Sequence, residues 1–364
     1  MNEQVTPGLA FPWAAQPPGE VIPPLASLSR SERWTAWDDF IEATPETGFM
    51  QSSWWVDFRA FCGFENFGIT LKNNDAIAGG AVALKYSCTE DICFYYIQDG
   101  PVLPSDPLLA EAVFQAVLEA IEARRETEAY TVSHLRIEPR WLFLPSFVRG
   151  FQSVPPLADH YLEARDTRCI DLRLSEEAIL AQMKPKGRYN IGVARRHGVS
   201  VIEDTSAQGL ADFQSIYEET AARQGMEAKP PDYFEALVSL LMSVRRGSLF
   251  FAEYQNIRVA VALVVCFGSR ATYFFGGSRE IHRNVMAPYL LHFEIMRKAK
   301  ALGHAYYDLW GIAPPNAPNH PWLNFSAFKA KFGGAEVHLV PTLDYVFDPA
   351  AYARYAAVEN GSNA

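Results

Sequence analysis

The hydrophobic and polar positions repeat one arrangement in the two halves of the chain. Residues 81–101, AVALKYSCTEDICFYYIQDGP, alternate in the manner of a β-hairpin, and an amphipathic helical stretch at 106–126 and a short strand at 134–139 follow. The same order returns in a hairpin at 261–278, a helix at 287–303 and a strand at 306–314. The repeat, offset by roughly 175–180 residues, predicts a duplicated α/β protein with mixed sheets. Two unrelated α/β segments that are alike by chance are the alternative.

This repeat divides the chain into domains. We expect a Pro-rich leader at 1–29, a first domain at 30–165 and a second domain at 166–339, with 340–364 packing back on the first. The leader contains six prolines and no Lys or Arg, so it lacks the charged start of a secretory signal. A cytoplasmic protein is therefore expected.

Composition excludes several classes of function. Apolar residues make up 49% of the 364 positions, but no apolar run reaches the ~18 residues of a membrane span. A net charge of −10 argues against a protein that coats nucleic acid, although one local basic patch remains compatible with it. The five cysteines lack a C-x-x-C pair and the histidines lack metal-ligand spacing, which predicts free thiols and no metal. Motifs for ATP, NAD and serine-hydrolase chemistry are also missing.

A basic run stands out on this acidic chain. KPKGRYNIGVARRHG, residues 184–198, contains Lys184, Lys186, Arg188, Arg195 and Arg196 in a stretch without acidic residues. As a helix it places Arg188 and Arg195 on one face and leaves Ile191 and Ala194 to pack. The run predicts either a phosphate-binding site or a solvated helix face.

A further segment with candidate chemistry precedes the second predicted helix. In SREIHRNVMAPYLL, residues 278–291, Arg279, His282 and Arg283 precede a helix with Pro288 in its first turn. The free N–H groups there favour an anion or a carbonyl oxygen, although a merely solvated helix start gives the same pattern.

The segment FKAKFGG, residues 328–334, places a lysine among aromatic rings. On a helical wheel, Lys329 falls in one apolar arc with Phe325, Phe328 and Phe332, whereas Lys331 faces water. A lysine on a buried face must snorkel to the surface, pair with an anion or contact a substrate.

Several motifs in order resemble the Fem family of aminoacyl-tRNA-dependent peptidyltransferases. These are KGRYNIGVARRHGV, EETAARQGM, FFAEYQNIRVAVAL, RNVMAPYLLHFEIMRKAKALGHAYYDLWGI and HPWLNFSAFKAKFGG, with weaker matches in FMQSSWWVDFR, YYIQDGPV and LRIEP. The resemblance covers roughly residues 48 to 348 and implies two tandem domains like those of the GNAT acetyltransferases. Residues 229–248 are too short for the long helical arm that some members insert, so an armless chain is expected.

The resemblance also implies a site. Lys329 and Phe328 fall on the family's catalytic Phe-Lys motif, and Arg59, Arg188 and Arg223 fall on its basic positions. We expect further substrate contacts from Lys184 and Lys186 of the basic run, from Arg283, from Tyr273 of the second hairpin and from Trp55 of the first half. Two departures, Asp99 in place of arginine and Asn324 in place of glycine, concern the acceptor.

The implied reaction is transfer of Gly, Ala or Ser from aminoacyl-tRNA to the side-chain amine of a diamino acid. The acceptor would be the stem peptide of a peptidoglycan precursor, linked to uridine diphosphate or to lipid, with membrane contact at most peripheral. No cofactor is needed, because the ester is already activated. Lys329 would stabilise the charge on the tetrahedral intermediate, and the general base stays open between Asp308 and a group of the substrate. The alternative is an N-acyltransferase that takes acyl-coenzyme A.

Overall fold

The structure, a computed structural model, describes residues 30–154 and 164–361. The predicted leader therefore lies outside the described residues. The described part of the chain forms two compact units, one that runs to Arg165 and resumes at Leu339, and one that spans Asp166–His338.

The first unit is built on a mixed sheet. Its elements are α1 (Arg30–Ala43), α2 (Ser53–Phe61), β1 (Glu65–Asn73), β2 (Ala76–Ser87), β3 (Ile92–Gln98), α3 (Pro107–Glu126), β4 (Thr131–Glu138) and β5 (Phe151–Ser153). A later segment of the chain, after Leu339, completes this unit.

The second unit contains a larger sheet and the helices that pack on it. Its elements are β6 (Asp166–Asp171), α4 (Glu176–Gln182), α5 (Pro185–Arg196), β7 (Ser200–Glu203), α6 (Ala207–Gln224), α7 (Pro231–Ser243), β8 (Gly247–Tyr254), β9 (Ile257–Phe267), β10 (Arg270–Ser278), α8 (Ala287–Ala301), β11 (Tyr306–Gly311), α9 (Leu323–Lys329) and β12 (Ala335–His338). The chain then returns to the first unit with β13 (Leu343–Val346) and α10 (Pro349–Gly361).

The two sheets share their central order. The first runs β1-β2-β3-β4-β13-β5 and the second β12-β6-β11-β10-β9-β8-β7. In each, an antiparallel hairpin is followed by a helix and then by a strand parallel to the second hairpin strand, β4 beside β3 and β11 beside β10. The repeat seen in the sequence is therefore a repeat of structure. Between α6 and β8 the chain forms only the short helix α7, without a long arm.

The start of α3 and the core beneath it follow from the local sequence. Asp106 caps the helix by accepting a hydrogen bond from the Leu109 N–H, and Pro107 occupies the first turn, where its missing N–H costs nothing. The buried face of α3 then packs on the aromatic and β-branched residues of β1 to β4. A separate core lies around α8 in the second unit.

The returning C-terminal segment is fixed in the first unit by a buried ion pair. Arg136 of β4 donates two hydrogen bonds of 2.8 Å to the Asp344 carboxylate of β13. Both side chains are buried, so each charge depends on the other for its compensation. All five cysteines are free thiols, as the sequence predicted.

Candidate functional site

Two parallel strands of the second unit separate at the centre of its sheet. In the described chain, β10 and β11 pair only from Arg270–Thr272 to Tyr306–Asp308. Beyond that point β10 remains paired with β9, with Phe274 as an extra residue in the ladder. The equivalent strands β3 and β4 of the first unit stay paired to Gln98 and Glu138. The separation therefore frees backbone groups at the end of β11 in the second unit.

Lys329, the last residue of α9, uses one of these backbone groups. Its Nζ donates a hydrogen bond of 2.5 Å to the carbonyl oxygen of Gly311, the last residue of β11. Only 9% of Lys329 is exposed, so the inward direction predicted by the helical wheel is confirmed. Burial lowers the pKa of Lys329 to about 8, and the nearby charge of Asp308 opposes part of that shift.

A cavity of about 530 Å³ lies in the same unit, a volume typical of small-molecule sites. Its walls come from α6, β9, β10, the start of α8 and the region of α9. Phe328 lines it directly. Lys329 does not itself line the cavity surface, but His292 does. The charge of Lys329 contributes to the lowered pKa of His292.

An aromatic wall closes one side of this cavity. The rings of Tyr273 and His292 meet edge to face with centroids 4.6 Å apart, and Tyr289 meets Phe328 at 5.3 Å. His292 Nδ1 and the Tyr307 hydroxyl share a hydrogen bond of 2.8 Å. Burial, together with the Lys329 charge, lowers the pKa of His292 to about 3. The wall is therefore uncharged at neutral pH.

Cationic side chains also line this cavity. Arg223, Arg279, Arg283 and Lys331 reach the cavity surface, whereas none of the described lining residues is an Asp or Glu. Carboxylates lie behind them, Glu219 at 3.0 Å from Arg279 and Glu280 at 3.4 Å from Arg283. The cavity thus combines an apolar wall with a basic rim, which suits a ligand carrying both a ring or chain and an anion.

The close approach of α6 to β10 positions Arg223. The Thr220 Oγ1 accepts a hydrogen bond of 3.0 Å from the Ser278 N–H, and Arg223, nearly one turn later, donates to the Ser278 carbonyl at 2.8 Å. A Cβ at Gly277 would lie 2.4 Å from the Thr220 Oγ1. Glycine at this position therefore allows the helix to lie directly on the strand. The Nη1 of Arg223 is buried without a hydrogen-bond partner.

Lys331 differs from its prediction. The wheel predicted that it faces water, but it is half-buried, lines the cavity and donates a hydrogen bond of 3.0 Å to the Tyr289 hydroxyl. The reason is that α9 ends at Lys329 and residues 330–332 form a 3₁₀ turn, which advances each residue further around the axis than an α-helix does. Phe332 at the end of that turn is fully buried.

The basic run lies away from the cavity lining. It forms α5, with Ile191 and Ala194 buried as predicted. Arg188 donates hydrogen bonds to backbone carbonyls at the end of α4, among them that of Met183. Arg195 pairs with Glu294 at 3.1 Å. Lys184 and Lys186 are exposed, and their predicted contact with substrate remains a prediction.

The predicted residues of the first unit have internal partners. Arg59 donates a hydrogen bond of 2.6 Å to the Tyr86 hydroxyl and lies 4.1 Å from the centre of the Phe64 ring. Trp55 is buried, and its indole N–H donates to the Gln98 side chain at 3.0 Å. Neither lines the cavity of the second unit.

Sequence reasoning missed several cavity residues, among them Thr220, Tyr289, His292 and, in its role, Lys331. His292 could have been found, because it is a lone polar residue on the apolar face of a helix. The others depend on how the chain folds around them.

Two features are absent from the described residues. No group of three or more His, Cys, Asp or Glu side chains could hold a metal ion. Within the same ranges, 30–154 and 164–361, no helix has the length and apolarity that crossing a bilayer requires.

Two known enzymes that this chain resembles have names that describe related transfer reactions. An enzyme from Weissella viridescens named UDP-N-acetylmuramoylpentapeptide-lysine N(6)-alanyltransferase is 23% identical over 345 residues, with 91% of this chain and 98% of the relative covered. A lipid II:glycine glycyltransferase of Staphylococcus saprophyticus is 20% identical, with 87% and 92% covered. Both relatives are matched over nearly their whole length.

A solved structure and a family match complete the comparison. The crystal structure of FemX superimposes with a TM-score of 0.80 at 16% identity, over 88% of this chain and 98% of FemX. The protein thus has a two-domain GNAT-like fold. The FemAB family matches residues 144–241 and 245–360, more than half of the sequence. With its repeated units and its buried lysine after an aromatic residue, this chain belongs to the FemAB family.

Proposed function

We propose that this protein transfers an amino acid from aminoacyl-tRNA to the side-chain amine of the diamino acid in a peptidoglycan precursor. The names of its relatives support the class of acceptor, since one acts on the lysine of a UDP-linked pentapeptide and the other on lipid II. The observation that carries the proposal is the buried Lys329 ammonium, whose only hydrogen-bond partner among the described residues is the Gly311 carbonyl.

The reaction is aminolysis of an ester. The neutral acceptor amine attacks the aminoacyl carbonyl carbon, and the carbonyl electrons move onto oxygen. The intermediate then collapses, the amide C–N bond remains, and the ribose oxygen leaves with a proton that originates from the amine. Lys329 would donate a hydrogen bond to the oxygen that becomes negative, an interaction worth about 3–4 kcal/mol in sites of this kind. Phe328 would shape the surface beside it and exclude water.

The remaining predicted residues would hold the substrates. Arg223 and Arg283 line the cavity rim, where they could bind phosphate or carboxylate oxygens, and Tyr273 forms part of the aromatic wall. Arg59, Arg188, Lys184, Lys186 and Trp55 remain proposed contacts for the parts of the substrates outside that cavity. Alignment of the two substrates by such contacts contributes ~7–11 kcal/mol in favourable cases.

A product-mass experiment tests the proposal. The purified protein is offered a pool of charged tRNAs with a UDP-linked pentapeptide that carries lysine as the third residue of its stem, and in parallel with lipid II. A mass increase equal to one Gly, Ala or Ser residue on either acceptor is expected, and it should disappear when the tRNA is deacylated beforehand. A transfer that requires acetyl-coenzyme A instead of charged tRNA would contradict the proposal and favour the N-acyltransferase.

A further inference from the structure

Asp308 of β11 is completely buried and is surrounded by donors. The Thr167 hydroxyl donates a hydrogen bond to its Oδ1, and the Trp310 N–H donates to the same oxygen at 2.9 Å. Arg270 lies 3.3 Å from its Oδ2. A carboxylate with these contacts is held in one orientation in the interior.

These contacts hold an irregular section of β11. In the ladder with β6, Asp308 is opposite Cys169, but the next paired residue, Gly311, is opposite Thr167. Trp310 between them has a left-handed φ of 61°, a conformation that costs free energy in a non-glycine residue. The hydrogen bond from its N–H to Asp308 compensates for that cost. The irregular section ends at Gly311, whose carbonyl accepts from Lys329.

The charges around Lys329 show what the carboxylate adds. Lys329 interacts electrostatically with His292 of α8 and with Asp308 of β11, and His292 contacts Tyr273 of β10 and Tyr307 of β11. His292 is neutral, and burial raises the pKa of both tyrosines, so they are neutral as well. Among these residues, Asp308 is the acidic one. Its charge therefore opposes the effect of burial on the pKa of Lys329.

We propose that Asp308 is a positioning residue for Lys329, which fixes the Gly311 carbonyl that orients the ammonium and supplies a negative charge near it. This inference rests on the proposed function for its consequence in catalysis. The arrangement of Asp308, Gly311 and Lys329 itself does not depend on which substrate the protein uses. The role differs from that of a general base, because Asp308 acts through the Gly311 carbonyl and Lys329 and takes no proton from the substrate.

The first test measures protonation directly. Protein labelled with ¹³C at the lysine Cε is titrated by NMR, and Lys329→Met identifies the signal. In the parent, that signal should titrate near pH 8. In Asp308→Asn, a nearly isosteric change, the midpoint should fall by roughly one pH unit. Asp232→Asn on the exposed start of α7 is the matched control and should leave the midpoint unchanged. An unchanged midpoint in Asp308→Asn would overturn the proposal.

A second variant should shift the Lys329 titration midpoint in the opposite direction. It also covers the case in which Asp308→Asn does not fold. Arg270→Gln removes the cation beside Asp308 while retaining the carboxylate, so the Lys329 midpoint should rise. A fall in the Arg270→Gln midpoint would therefore contradict the charge argument.

Activity separates this inference from the proposed function. If transfer occurs, the alkaline limb of its pH profile should move with the NMR midpoint in each variant. If the midpoints move as expected but no charged tRNA supports transfer, the positioning role stands and the proposed function fails. If transfer occurs and its alkaline limb does not follow the midpoints, Asp308 does not act on catalysis through Lys329.

Discussion

The Lys329 ammonium and the Gly311 carbonyl oxygen lie 2.5 Å apart and join the end of α9 to the end of β11. This contact exists because β11 has already separated from β10, so that the carbonyl is not used by the sheet. A single carbonyl partner leaves the remaining N–H groups of the ammonium available to a substrate oxygen.

Replacement of Lys329 by methionine, which keeps the length and apolar volume of the side chain, should reduce kcat by ~10²–10³-fold, because one charged donor to the developing oxyanion is lost. Steady-state transfer from aminoacyl-tRNA measures the effect. Lys229→Met, at an exposed lysine before α7, is the control and should behave as the parent. A Lys329→Met variant within a few-fold of the parent would exclude the catalytic role.

The pH profile of kcat/KM should show an alkaline limb near pH 8. Below that pH the Lys329 ammonium carries its proton, and above it the donor is lost, so the rate should fall as pH rises through about 8. At lower pH the rate should increase with pH, since a lysine-type acceptor amine, with a reference pKa of ~10.4, must lose its proton to attack. The alkaline limb should be missing from the residual activity of Lys329→Met.

Lys331→Met should weaken substrate binding more than chemistry. Its ammonium lines the cavity beside Tyr289 but does not contact the Gly311 carbonyl. We expect KM to rise by roughly 5–20-fold with kcat within a few-fold, the result of removing one charged hydrogen bond to a bound anion. Lys298→Met, outside the cavity lining, should leave both constants unchanged. An equal loss in kcat and kcat/KM would instead assign Lys331 to the transition state.

Gly277→Ala should destabilise the second unit by about 1–3 kcal/mol, because the new methyl group would overlap the Thr220 hydroxyl and push α6 from the strand. Since Arg223 is on that helix, KM should also rise. Gly192→Ala in α5 is the matched control: its Cβ would meet only the end of the Arg196 side chain, at 3.2 Å, and alanine favours a helix by up to ~1 kcal/mol. Denaturant unfolding measures both. Equal stability of the two variants would refute the packing argument.

Much of the fold could be predicted because its signals are local. The paired hairpin, helix and strand units were visible as periodicity, and Pro107 and Pro288 both lie in the first turns of the predicted helices. The inward direction of Lys329 also followed from its spacing to Phe325 and Phe328. The direction of Lys331 did not, because a change from α to 3₁₀ geometry within the last turn has no clear sequence signal.

The sequence by itself determined the repeated α/β units, the buried lysine and the family resemblance, since periodicity and short motifs depend on neighbours along the chain. The tertiary structure alone decided that β10 and β11 separate, that the Gly311 carbonyl meets Lys329, and that Arg223, His292 and Lys331 border one cavity. These relationships join residues that are far apart in sequence. Their contacts depend on how sheets and helices pack, and no local pattern encodes that packing.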